Sequence, residues 1–234
     1  SHAPPVTAII KHHLGPKLIG EECMAIEKIW DMTTRMTSLY GASGVASYAV
    51  SAIDLAMWDL KGKILDRPVY ELLGGPIRDD IFTYATGGDT DWHMELGFKA
   101  TKLPCQYGPS DGLAGLNENI RLVDKTRKMI GADIDLMLDC WMAFDVEYAV
   151  RLGEALRPYN VKWLEDMLTP EDFDAFEQVR KRLPWQTLAA GEHWYTTYPF
   201  QYAASHRLVD IFQPDIQWVG GLTAIVKICA IAEA

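Results

Sequence analysis

The 234-residue chain carries 49% hydrophobic and 23% charged residues and a formal net charge of −10, a globular balance with ample length to bury a core. Acids and bases are intermixed, which excludes the basic footprint that a nucleic-acid surface needs. No apolar run approaches the ~20 residues that span a bilayer, so the sequence predicts a soluble protein with neither nucleic-acid nor membrane partner.

The chain opens on "SHAPP" without a methionine, as a tag remnant or the middle of a longer protein would, and no signal peptide is recognisable. Residues 21–37 place Met24, Ile26, Ile29, Trp30 and Met36 at helical spacing. After the turn "YGASG" comes an alanine-rich helix over 45–65, whose small residues predict close packing. "DRPVYELLGG" (66–75) reads as a short helix opened by proline and closed by Gly74.

From residue 81 the texture changes. Short β-rich runs at 81–86, 100–104, 134–139, 161–165, 187–192 and 211–215 alternate with amphipathic helices. Nearly continuous apolar strands separated by helices predict a parallel sheet covered by its helices. Six βα units are legible, and the chain stops in the apolar helix 221–234. A (β/α)₈ barrel of the TIM type needs two more units, so the pattern predicts either an open doubly wound sheet or a fragment of a longer barrel protein. The closing apolar helix favours the fragment.

Three of these strands stop on an acid: Asp139 in "LMLDCW", Glu165 in "KWLEDM" and Glu192 in "AAGEHW", at steps of 26 and 27 residues. Any one of them alone reads as an ordinary strand-end residue or a helix cap. Three in strict βα register predict a shared acidic site, because strand C-termini in a barrel face one mouth. Carboxylates crowded without a cation repel and shift upward in pKa. An oxygen-only set selects a hard cation, Mg²⁺ before zinc. Lys102, at the end of the second strand, reads either as a solvent-facing lysine or, on its side of the mouth, as a contact for a substrate carboxylate. His193 follows Glu192 and is expected at the rim of the site. Asp215 ends the sixth strand, where an acid can orient a histidine. His12, His13, His93 and His206 read as structural or surface groups. Cys23, Cys105, Cys140 and Cys229 have no CxxC or zinc-like spacing and read as reduced thiols of a cytoplasmic protein.

"LMLDCW", "WLED", "GEH" and "QPDIQWVGGLT" together resemble the enolase superfamily, in its mandelate-racemase-like branch. "KLPCQYGPSDG", "LMLDCWMAFDVEYA" and "PYNVKWLEDMLTP" narrow the likeness to dehydratases of six-carbon sugar acids such as L-rhamnonate. The resemblance implies that residues 1–76 are the helical part of a capping domain and 77–234 the first six βα units of the barrel. It implies Mg²⁺ on Asp139, Glu165 and Glu192, a small acid-sugar substrate held through Lys102, and a homo-oligomer. Many relatives carry a lysine base two residues after the Lys102 position; here that residue is Pro104, which takes no proton. The base implied instead is a histidine of the seventh strand, oriented by Asp215 and lying beyond Ala234, with His193 polarising or protonating near the reacting centre. By that reading the 234 residues alone are inactive. A racemase or epimerase, and a catalytically silent metal-binding homologue, remain as alternatives. The chain departs from the family pattern at Cys105-Gln106, beside the substrate, and at Glu165-Asp166.

Overall fold

A computed structural model describes residues 3–234; Ser1 and His2, the start of the "SHAPP" opening, lie outside the described residues. Contacts divide the chain into two units that do not follow chain order. One takes in the residues up to Asp80 with Glu192–Ala204 and Pro214–Ala234; the other takes in Ile81–Gly191 and Ser205–Gln213.

The first unit begins with helix α1 (Ala3–Ile9), which passes through a π-helical turn into α2 (Gly15–Leu18). The sequence reading assigned nothing here, because Pro4, Pro5, Gly15 and Pro16 disguise the helical spacing of Val6, Ile9, Ile10, Leu14 and Leu18. Those residues pack on a core of Leu14, Ile29, Ala49 and Ile53. Helix α3 (Ile26–Thr37) starts later than expected, because left-handed Gly20 and two turn hydrogen bonds hold the chain out of helix up to Ala25. Helix α4 spans Val45–Leu65, as predicted, and ends on left-handed Asp66. Of the expected element at 66–75 only one turn forms, α5 (Val69–Leu72).

The same unit holds the last helix of the chain, α11 (Gly221–Glu233), and α4 grips its start. Ala46, Ala49 and Ser51 are buried on α4, and their small size lets the segment before α11 approach closely. Gly220 N–H donates to Ser51 Oγ at 2.9 Å, Trp30 Nε1 of α3 donates to Gly220 O at 2.7 Å, and Ser47 Oγ donates to Trp218 O. Buried Asp54 accepts from the backbone N–H (2.9 Å) and hydroxyl (2.6 Å) of Thr223, so a side chain of α4 caps α11. Burial raises the Asp54 carboxyl above its usual value, with the Thr223 hydrogen bonds opposing.

The second unit is a parallel sheet in strict sequence order: β1 (Ala85–Thr86), β2 (Ala100–Pro104), β3 (Asp135–Asp139), β4 (Leu164–Glu165), β5 (Leu188–Ala190) and β6 (Ile211–Phe212). Helices α6 (Thr90–Glu95), α7 (Gly112–Ile130), α8 (Val146–Leu156) and α9 (Phe173–Arg182) connect β1 to β5 in turn, and α10 (Tyr198–His206) lies between β5 and β6. All six expected strands are present, β2 at its expected bounds and the other five shorter. Pairing of β1 begins only at Ala85; Ile81 and Phe82 before it are 79% and 64% exposed and have no strand partner among the described residues. Asp145 and Asp172 open α8 and α9 by accepting the backbone N–H three residues on.

Gly221 (φ +84°) stands where an added Cβ would collide with the Asp54 carboxylate, whereas Gly20 (φ +89°) has open space around it. Both positions favour glycine for its backbone freedom, so the comparison isolates the close approach. In the full-length protein Gly221→Ala is expected to destabilise by about 2–4 kcal/mol and Gly20→Ala by about 1 kcal/mol, measured by urea unfolding. Equal losses would show that Asp54 does not need the glycine.

Candidate metal centre

Side chains of a strand alternate between the two faces, and the interior face of this sheet is filled in steps of two. Tyr84, Ala100, Met137, Trp163, Ala189 and Ile211 pack as one layer. Two residues further along each strand stand Thr86, Lys102, Asp139, Glu165, Gly191 and Gln213. This upper step carries three of the residues that the sequence singled out.

Those three meet. Lys102 Nζ lies 3.2 Å from Asp139 Oδ2 and also pairs with Glu165 Oε1, with side-chain exposures of 9% for the lysine, 20% for Asp139 and 3% for Glu165. Trp163 Nε1 and Gln213 Nε2 each donate to Glu165 Oε2 at 2.9 Å. One oxygen of Glu165 is thus held by neutral donors while the other faces a cation. Asp139 Oδ1 accepts from the Trp141 N–H at 3.1 Å, leaving Oδ2 on the side of the lysine. Burial raises the Asp139 carboxyl; the Lys102 charge opposes this and Glu165 adds to it. Burial on its own would lower the Lys102 pKa, but the hydrogen bond and charge of Glu165, with Asp139, outweigh it and the net shift is upward. The lysine therefore stays charged across the neutral range.

The donor set fits a hard cation. Two carboxylate oxygens from neighbouring strands converge on one positive group, and the remaining contacts to them are N–H donors that fix their aim. The backbone at these strand ends is held in uncommon conformations: Trp141, Met142 and Asp166 have φ of 45°, 61° and 42°. Met142 N–H donates to Asp166 O at 2.5 Å, tying the two turns together. Non-glycine residues in the left-handed region carry strain that collects at functional sites.

The other predicted residues belong to the first unit. Glu192 follows Gly191, whose φ of +131° only a glycine adopts readily; β5 therefore bears its acid one residue later than β3 and β4. His193 Nε2 lies 3.9 Å from Glu192 Oε2, its ring packs on Trp218 at 5.3 Å, and Nε2 is buried without a hydrogen-bond partner among the described residues. Asp215 Oδ1 accepts from Gln217 N–H at 2.6 Å, and its carbonyl accepts from Trp218 and Val219. His93 is buried against the Thr101 hydroxyl at 3.0 Å. Sequence reasoning missed Trp163 and Gln213. Their signal was the period of two: each lies two residues from an interior position of the same strand, 165 for the first and 211 for the second.

A sequential parallel sheet whose strand ends gather carboxylates around a cation defines an α/β protein of the TIM-barrel type with an acidic centre. The pattern described as "Enolase C-terminal domain-like" matches residues 90–234, and that of the mandelate racemase / muconate lactonizing enzyme N-terminal domain matches residues 2–74. The chain belongs to the enolase superfamily. It is 45% identical over 231 residues to an L-rhamnonate dehydratase of Saccharopolyspora erythraea, covering 98% of this chain and 59% of that protein. The crystal structure of rhamnonate dehydratase from Gibberella zeae complexed with Mg superimposes with a TM-score of 0.96 at 35% identity, covering 98% of this chain and 57% of that one. A racemase of Streptomyces coelicolor with bound magnesium superimposes with a TM-score of 0.89 at 31% identity, over 97% of this chain and 69% of that one. The chain thus spans less than two thirds of the length of its rhamnonate dehydratase relatives.

Removing the ammonium of Lys102 leaves buried Glu165 and partly buried Asp139 facing each other. In the full-length protein, Lys102→Met is expected to lower stability in EDTA by about 3–5 kcal/mol, and added Mg²⁺ is expected to restore more of the loss than it adds to the parent protein. Thermal unfolding with and without Mg²⁺ measures both; a variant as stable as its parent in EDTA would show that the ion pairs do not hold the centre together.

Proposed function

We propose that the full-length protein is an acid-sugar dehydratase, a hydro-lyase acting on a six-carbon aldonate, with L-rhamnonate the first candidate. The observation that carries this reading is the buried cluster of Lys102, Asp139 and Glu165 in a chain 45% identical to an L-rhamnonate dehydratase. Asp139, Glu165 and, from its strand-end position, Glu192 are proposed as ligands of Mg²⁺. Bound there, the metal supplies a Lewis acid that anchors the substrate carboxylate and offsets the negative charge built up when the α-proton leaves.

The chain's own residues divide the remaining work. Lys102, drawn toward the two acids in this structure, turns to the substrate carboxylate and adds a second positive contact. Pro104 stands two residues further on β2 and accepts no proton, so the base that takes the C2 proton acts from elsewhere; Asp215 is proposed to orient it, as a histidine of the following strand. His193, whose buried Nε2 has no hydrogen-bond partner among the described residues, is proposed to protonate the C3 hydroxyl as it departs as water. The enol then tautomerises to a 2-keto-3-deoxy acid. Racemisation returns the proton and is commonly served by bases on both faces, and Pro104 removes one of them. We assign 1–76 to the capping domain and 77–234 to the barrel; homo-oligomeric assembly and a cytoplasmic setting rest on the family alone.

Three outcomes test this. The full-length protein with Mg²⁺ and L-rhamnonate is expected to yield a 2-keto-3-deoxy acid, detected as its semicarbazone; turnover of no aldonate would overturn the assignment. Glu192→Gln is expected to reduce kcat by about 10³-fold or more, the several kcal/mol a catalytic metal supplies. Gln213→Leu removes one of the two donors to Glu165 Oε2 and is expected to weaken Mg²⁺ binding about 10- to 100-fold, as read by calorimetry. Unchanged affinity would remove Gln213 from the support of the centre.

A further inference from the structure

The β2–β3 ladder places two thiols side by side. Its register runs through Pro104 opposite Asp139, and Cys105 N–H donates to Asp139 O at 2.7 Å, so the next pair across the strands is Cys105 and Cys140. Both lie on the helix-facing side, because Lys102 and Asp139, three and one residues earlier, point to the interior. Neighbouring strands run about 4.8 Å apart, within the Cα separations of about 4.4–6.8 Å that a disulfide bridges. Both cysteines are free thiols, Cys140 fully buried and Cys105 partly exposed. The loop that covers Cys105 is fixed: the Cys105 thiol donates to Tyr107 O at 3.6 Å, and Asn119 holds Tyr107 through both its backbone groups.

We propose that Cys105 and Cys140 are a dithiol modification site that closes to an intramolecular disulfide by exchange with a small-molecule disulfide. The partly exposed Cys105, as thiolate, attacks one sulfur of the oxidant, forming a mixed disulfide and releasing one thiolate. Cys140, deprotonated in turn, attacks the Cys105 sulfur, forms the Cys105–Cys140 bond and releases the second thiol. The protein loses two hydrogens and the oxidant becomes two thiols. The bond joins the residue after Pro104 to the residue after Asp139. Closing the S–S bond re-aims the side chains of both cysteines, one of them the chain neighbour of Asp139, and a shift of about 1 Å in a site costs on the order of 10²-fold in rate. The loss of rate rests on the dehydratase reading; the disulfide does not.

The full-length reduced protein, exposed to oxidised glutathione, alkylated and digested with trypsin, is expected to give peptides 103–121 and 129–151 joined and lighter by two hydrogens. Turnover of L-rhamnonate is expected to fall about 10²-fold and to return with dithiothreitol. Cys140→Ser, or Cys140→Ala if serine is not tolerated, is expected to trap a glutathione adduct on Cys105, and Cys105→Ser to give neither product. A lasting adduct on Cys105 of the parent protein, or no reaction at either thiol, would overturn the site. Joined peptides with unchanged turnover would overturn the coupling to Asp139 and leave the dithiol site standing.

Discussion

Two carboxylates buried on adjacent strand ends do not both stay ionised at low energy unless a positive charge stands between them. Asp139 and Glu165 meet this constraint with the Lys102 ammonium, and much of the second unit serves to hold the arrangement. The parallel register delivers the three side chains to one step of the interior. Trp163 and Gln213 saturate the far oxygen of Glu165, and the Trp141 amide orients Asp139. A lysine in this place does for the acids what a metal ion does, as a single positive charge on a flexible stem. In the proposed function a divalent cation would offer twice the charge to the same two oxygens.

The first unit follows a different logic. Its alanine- and serine-rich helix α4 has little apolar bulk to contribute, and its value lies in close approach. Ser47, Ser51 and Asp54 hold the backbone between Trp218 and Thr223, the segment that follows Asp215. The conformation of that turn is fixed by hydrogen bonds from helices more than 160 residues earlier in the chain. A substitution on α4 can therefore reach Asp215 without touching it.

Much of this was legible in the sequence, for identifiable reasons. Helix α4 was found at its observed bounds because alanine and long apolar residues repeat between the glycine turn that ends at Gly44 and the Asp66-Arg67-Pro68 stop. The six strands were found because each is a short apolar run bounded by turn residues, and the acids that end them stood out against that background. The helices before Leu18 were hidden by three prolines and a glycine, and α6 by its length of six residues. Partner choice was the least legible property. Nothing in "TKLP" indicates that Lys102 spans two carboxylates, nor in "VKWLE" that the Trp163 indole donates to Glu165. Those contacts depend on the stagger of neighbouring strands, which sets the pairs across the sheet and is not encoded in any one strand. The adjacency of Cys105 and Cys140 was obscured in the same way: 35 residues separate them along the chain, and one ladder step separates them in space.

The central claim is that the place held by the Lys102 ammonium is a divalent-cation site. Crystals of the full-length protein grown with Mn²⁺, which substitutes for Mg²⁺ and scatters anomalously, test it directly. The account predicts an anomalous peak bonded to Asp139 Oδ2 and Glu165 Oε1, with Lys102 turned away from both acids. A peak elsewhere, or Lys102 still paired with both acids and no peak, would contradict it.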